Sequence, residues 1–251
     1  MNLIKSSWAI ALGCLLVGQA GLAIAQEYKP RRRGLPDQRD GAGSRSPTCL
    51  LGPKKFAALV PKDAISTSTT PASSLFWYVP KTTATSAELR IVEQVNPRLE
   101  TEIFVTQIPL QAGGGVMAYG LPPEVTKALS PNKVYRWQFS IGCSPRNPSQ
   151  NPFLEGTLEL DEVPASLTTT LAQATTPRDR AIAYAAAGFW QDAIATLATP
   201  RCLNPRDANI QTAWSNLLRS VQLEDYAREP FVQTCKAIQA RQSVGAGRGQ
   251  P

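Results

Sequence analysis

Polar and apolar residues alternate without a break over positions 134–143. Tyr135, Trp137, Phe139, Ile141 and Cys143 fall on one side, and Val134, Arg136, Gln138, Ser140 and Gly142 on the other. A period of two held this long predicts a strand packed on one face and wet on the other. Just upstream, Leu129-x-Pro131-x-x-x-Tyr135 has the spacing of a tyrosine corner, in which the hydroxyl bonds back to upstream backbone. Similar alternation, or a short apolar run closed by proline, predicts further strands at 55–60, 75–79, 88–95, 101–108, 116–121 and 153–163. The 101–108 strand is expected to return antiparallel to 88–95, with Glu102, Phe104, Thr106 and Ile108 on one side. Positions 66–74, rich in Ser, Thr and Pro, read as a loop. About seven short strands with turn signals between them predict an immunoglobulin-like antiparallel β-sandwich over 49–164.

Past Pro164 the period becomes helical and Ala becomes common. Thr176-Pro177-Arg178-Asp179 marks a helix start, with Thr as N-cap and Pro at the first helical position. Gly188 closes that helix. A second runs from Trp190 to a stop at Pro200, Asp207 caps a third, and Pro230 opens a short last helix carrying Phe231 and Cys235. Ala181-x2-Tyr184-x3-Gly188-x-Trp190-x2-Ala193-x3-Leu197 has tetratricopeptide-like spacing, ended at Pro205. Pro177 and Arg180 stand where that pattern wants Trp and Leu. Only one unit fits, and about three are needed to bury a core by stacking, so the hairpin must pack on other elements. The expected fold is α+β: a sandwich over 49–164, then an all-helical tetratricopeptide-like segment over 165–240.

The N-terminus, 1–25, has the form of a signal peptide: Lys5, an apolar run from Trp8 to Val17, and the small-residue box Ala23-Ile24-Ala25. The run is too short for a membrane span, so no transmembrane segment is expected after cleavage. Ala11-Leu12-Gly13-Cys14 leaves lipidation at Cys14 as the other reading. The formal charge of +7 has no bearing on the body. Lys5 carries one charge. Positions 26–48 carry six cations against Glu27, Asp37 and Asp40, and 236–251 carry Lys236, Arg241 and Arg248 with no acid. Positions 49–235 balance to zero. The basic arm 26–48 and the tail 241–251 are expected to be disordered. Arg31-Arg32-Arg33 could meet anionic polysaccharide. A neutral, exported body argues against nucleic acid.

The chain has no His, which removes Ser-His-Asp and Cys-His catalysis and imidazole metal sites. Gly113-Gly114-Gly115 lacks the Lys and Ser/Thr of a phosphate loop. The carboxylate pairs Asp161-Glu162 and Glu224-Asp225 are expected in water. No catalytic residue, cofactor or metal site is expected. Cys49, Cys143, Cys202 and Cys235 remain after leader removal, an even number that permits disulfides in an exported chain. If the halves fold separately, Cys49–Cys143 and Cys202–Cys235 are the natural pairs; buried thiols are the other reading. Trp77, Tyr78, Tyr135, Trp137 and Trp190 could stack on sugar rings, but their faces need a core.

Four blocks occur in order: Phe76-Trp77-Tyr78-Val79-Pro80; Tyr135-Arg136-Trp137-Gln138-Phe139 with Cys143; Tyr184-x3-Gly188-x-Trp190-x-Asp192-Ala193; and Leu217-Leu218-x-Ser220-Val221. Together they resemble the cyanobacterial family catalogued as domain of unknown function 928, over roughly residues 49–235. The resemblance implies an exported protein of the periplasm or cell surface and carries over no functional residue. The expected function is a non-enzymatic extracytoplasmic interaction or scaffold module whose partner is another envelope protein. The alternative is a glycan or cell-wall binder using exposed aromatics and the Arg-rich arm.

Overall fold

The structure, a computed structural model, describes residues 27–32, 39–40, 49–62, 65–71, 74–96, 98–144, 146–232 and 235. The signal peptide, Cys14, Arg33 and the tail 241–251 lie outside the described residues. The fold is mixed α+β, with ten strands and five α-helices among the described residues.

The strands are β1 (Leu50–Leu51), β2 (Ala57–Ala58), β3 (Ser66–Ser68), β4 (Ser74–Val79), β5 (Lys81–Thr82), β6 (Ser86–Asn96), β7 (Leu99–Pro109), β8 (Gly115–Gly120), β9 (Val134–Ile141) and β10 (Phe153–Leu160). They form a five-stranded sheet ordered β3-β10-β9-β6-β7, a three-stranded sheet ordered β2-β4-β8, and a small β1-β5 pair. Pairing is antiparallel except between β3 and β10. The helices are α1 (Pro123–Ala128), α2 (Ala165–Gln173), α3 (Pro177–Ala186), α4 (Trp190–Leu203) and α5 (Ala208–Arg219).

Alternation in β9 becomes burial. Tyr135, Trp137, Phe139 and Ile141 are buried, and the residues between them are half-buried. The Tyr135 hydroxyl accepts from the Ser130 amide at 2.8 Å and lies 3.5 Å from the Ala128 carbonyl, closing back on the chain upstream. The row meets Leu75, Trp77 and Val79 of β4 in a core shared by the two larger sheets. Trp77 stacks on Phe139 at 4.1 Å and meets Trp137 edge-on at 5.8 Å.

β4 is buried along its whole length, because it has a core on each side. Phe76 and Tyr78 face away from Trp77 and join Ala57, Leu59 and Val116 in a second core with α3, α4 and α5. Ala181, Ala185, Ala193 and Ala198 let these helices approach closely, and Trp190 donates its indole N–H to the Leu59 carbonyl at 2.8 Å. The order of layers is therefore five-stranded sheet, three-stranded sheet, helices.

Four local expectations are corrected. Ser66–Ser68 is a buried edge strand and not part of a loop, since its backbone pairs with β10 and its side chains find local partners. α4 continues through Pro200 to Leu203, held there by the tertiary contacts of Arg201 and the Cys202 bridge. The last helix does not begin at Pro230 or include Phe231: the Pro230 carbonyl accepts from Val116 at 2.7 Å, Val232 donates to the Val116 carbonyl at 3.0 Å, and Phe231 bridges to β8 in parallel, while Cys235 is helical. Glu102 is not on the side of Phe104, Thr106 and Ile108. A register shift between Ile91 and Val92 inserts Ile103 as a bulge and turns Glu102 toward Arg90.

Candidate interaction surface

Ionisable groups buried in this body are tied to structure. Asp192, in the first turn of α4, accepts from the Thr69 amide at 2.8 Å and the Thr69 hydroxyl at 2.6 Å. It thereby pins the end of β3 to the helix layer. Burial pushes its pKa from 3.8 up to about 6, against the pull of the Thr69 hydrogen bonds. The folded protein thus holds a proton that an unfolded chain has released, and stability falls as pH rises from about 4 to 6, then levels off. Asp192→Asn should remove roughly 3 kcal/mol of that slope. Urea midpoints at pH 4 and pH 7 should differ less in the variant than in the wild type, and an unchanged difference would refute the assignment.

Arg201, also buried, donates to the carbonyls of Ala227 and Glu229 and faces the touching rings of Trp214 and Phe231, 4.9 and 5.2 Å from their centroids. Desolvation draws its pKa down to about 10. Arg39 donates to the Val221 carbonyl at 2.7 Å. Burial raises Glu159, which Arg32 pairs.

The candidate groups fall in different places. Asp161 pairs with Arg31 at 2.8 Å, while Glu162, Glu224 and Asp225 are exposed. Cys49 is bonded to Cys143 and Cys202 to Cys235, with Cα separations of 5.4 and 5.5 Å. Among the described residues no group of three or more His, Cys, Asp or Glu converges as a metal site, and no helix is long and apolar enough to cross a membrane.

Residues 27–32 lie against the body although the arm 26–48 was expected free. Tyr28 is buried edge-on to Trp190 at 5.2 Å, and the Lys29 amide donates to the Ala185 carbonyl at 3.1 Å. Arg31 sits over the Phe189 ring at 4.7 Å. Gly188, at φ +83°, leaves the room this needs, for a Cβ there would meet the Arg31 stem at 2.3 Å. Two of the three consecutive arginines thus have carboxylate partners. Trp77, Tyr78, Tyr135, Trp137 and Trp190 are buried and offer no stacking platform for a sugar.

What stays open is a sheet edge. The two larger sheets have four edges, and the chain covers three itself. Arg39 and Asp40 close β2, where the Ala58 amide donates to the Arg39 carbonyl at 2.8 Å and Asp40 bridges Ala57. Residues 230–232 close β8. β3 is buried against α4. Among the described residues no strand pairs with the second side of β7, the longest edge strand, eleven residues from Leu99 to Pro109. Leu99 and Val105 of this strand are 52% and 43% exposed, and Val95, near the end of β6, is 51% exposed.

The outer face beside this edge is a polar lattice. Arg90 bonds Glu102 at 3.0 Å, and Arg136 bonds Glu100 and, at 3.4 Å, Glu155. Gln107 donates to Glu88 at 2.9 Å. A shallow depression lies among Arg90, Glu100, Arg136, Trp137 and Glu155. Sequence reasoning passed over Glu100, Val105 and Gln107. The available signal was Val95 and Leu99, each isolated between polar neighbours.

No curated protein matches the chain. A family model described as Domain of Unknown Function (DUF928) matches residues 40–231, most of the body laid out above, and the chain belongs to that family.

Proposed function

We propose that this chain is a non-enzymatic interaction or scaffold module of the cell envelope, working outside the cytoplasm on another envelope protein. The observation that carries the reading is the asymmetry of the sheet edges: among the described residues β2 and β8 are paired by further chain and β3 is buried against α4, whereas the longest edge, β7, pairs with no strand on its second side, has only α1 near it there and carries the exposed Leu99 and Val105. Folded proteins blunt exposed edges with bulges and charges, and β7 carries its bulge and both its acids in the half before Phe104, which leaves the regular stretch from Phe104 to Ile108 as the unprotected part. The leader pattern at 1–25 and two disulfides support export, since such bridges persist in oxidising compartments.

The finer architecture belongs to the same proposal. The two larger sheets are read as an immunoglobulin-like sandwich, supported by their shared core, the Tyr135 hydroxyl contact and the β10-β9-β6 order with β7 added beyond β6. The α3–α4 pair is read as a single tetratricopeptide-like unit that uses α5 and the three-stranded sheet in place of further repeats.

The test is site-specific photocrosslinking in envelopes of cells making the full chain. A crosslinker at position 105 should yield one discrete adduct, and one at the exposed Thr212 of α5 should yield none. The partner, once purified, should rebuild the 105 adduct. No adduct, or equal adducts from both positions, would overturn the reading.

A further inference from the structure

We infer that β7 is an acceptor for strand addition, and that its occupant is an extended, basic segment of the partner protein. This rests on the interaction reading above and deepens it.

The backbone sets the mode. An edge strand of eleven residues presents a rail of roughly 35 Å whose outward N–H and C=O groups have no ladder partner among the described residues. An extended chain laid beside it gains main-chain hydrogen bonds whatever its sequence, and the alternating side chains then select it. The two faces of β7 ask for different things. On the inner side, Phe104 and Ile103 are half-buried against the core, so apolar residues of an added strand would extend that core. On the outer side the strand presents Glu100, Glu102, Val105 and Gln107.

Charge selects the occupant. Glu88, Glu100, Glu102 and Glu155 stand against Arg90, Arg136 and, at the β6–β7 turn, Arg98, so the lattice keeps one carboxylate more than its guanidiniums, and Glu88 beside the edge is met by the neutral Gln107 amide. A strand bearing Lys or Arg at alternate positions supplies what is missing. A second copy does not. A second β7 would bring its own Glu100 and Glu102 to the edge, while its Arg90 and Arg136 are already engaged by those and neighbouring carboxylates. The regular ladder from Phe104 to Pro109, beyond the bulge, is the natural start for pairing.

The test uses the full chain and three nine-residue peptides: alternating Lys and Val, alternating Glu and Val, and the Lys–Val composition interrupted by proline. The Lys–Val peptide should bind by fluorescence anisotropy, at least tenfold tighter than the Glu–Val peptide, and weaken as salt rises. The proline peptide should not bind. Amides of residues 104–107 should gain protection from hydrogen exchange in the complex. Val105→Lys and Glu102→Lys change exposed positions; both should melt as the wild type does and lose binding tenfold or more.

Equal binding of all three peptides, no added protection along β7, or a dimer joined through β7 in sedimentation would overturn the proposal. If position 105 gives its discrete adduct while the Lys–Val peptide fails, the strand-addition chemistry falls and the interaction reading stands. If both fail, both fall.

Discussion

Trp77→Ala should lower stability by about 3–5 kcal/mol, measured as a shift in the urea unfolding transition. Trp77 is fully buried at the centre of β4, stacked on Phe139 and met edge-on by Trp137. Its indole N–H has no hydrogen-bond partner, so the loss is one of packing alone. The cavity would open between two sheets whose backbones are held by their own ladders and cannot close over it. Trp77→Phe keeps a ring against Phe139 and should recover more than half of the loss. Val105→Ala, on the open edge, should stay within about 0.5 kcal/mol of the wild type. A Trp77→Ala variant that unfolds within about 1 kcal/mol of the wild type would mean that the sheets do not share this core.

The legible parts of the fold were those fixed by local chemistry. Alternation through β9 told which side of Tyr135–Ile141 is buried, because a strand has a period of two wherever it lies. Thr176 and Asp207 announced α3 and α5 because their side chains accept the first free amides, from Asp179 and from Asn209 and Ile210. The unreadable parts depend on partners far away in the chain. Ser66–Ser68 has no apolar period and is a strand only because β10 and Asp192 lie beside it. Residues 27–32 have the composition of a free arm. They dock because Asp161 and Glu159 wait more than a hundred residues on and Gly188 leaves the space. The run Leu75-Phe76-Trp77-Tyr78-Val79 said that β4 is buried, but not that helices cover one face of it and a sheet the other. The open edge was hidden for a related reason. Glu100, Glu102 and Gln107 look like ordinary surface residues, and their place at a bare edge appears only when the other three edges are seen to be closed.

Arg201→Ala should cost about 4 kcal/mol and loosen the C-terminal segment from the sheet before the rest of the molecule. The guanidinium is the single group that reaches both the Ala227 and Glu229 carbonyls, at 3.1 and 2.7 Å. The Ala227 carbonyl keeps its bond from the Gln211 amide, but leaving the Glu229 carbonyl unpaired costs roughly 1–3 kcal/mol, and losing the contacts with Trp214 and Phe231 adds up to about 2. The same segment carries Pro230 and Val232, whose bonds to Val116 close the β8 edge. Without Arg201 the residues before Pro230 keep their bonds to Lys54 and Gln211, whereas residues 230–232 keep the two Val116 bonds, the Phe231–Trp214 ring contact and the Cys202–Cys235 bridge, which tethers them without fixing their register. Exchange of the Val116 amide should therefore speed up well ahead of amides in β9. Arg201→Lys should restore less than half of the loss, because an ammonium lacks the planar fork that meets these carbonyls while lying against both rings. If Val116 exchanges at the wild-type rate in Arg201→Ala, the clasp lies elsewhere and β8 is closed by the bridge alone.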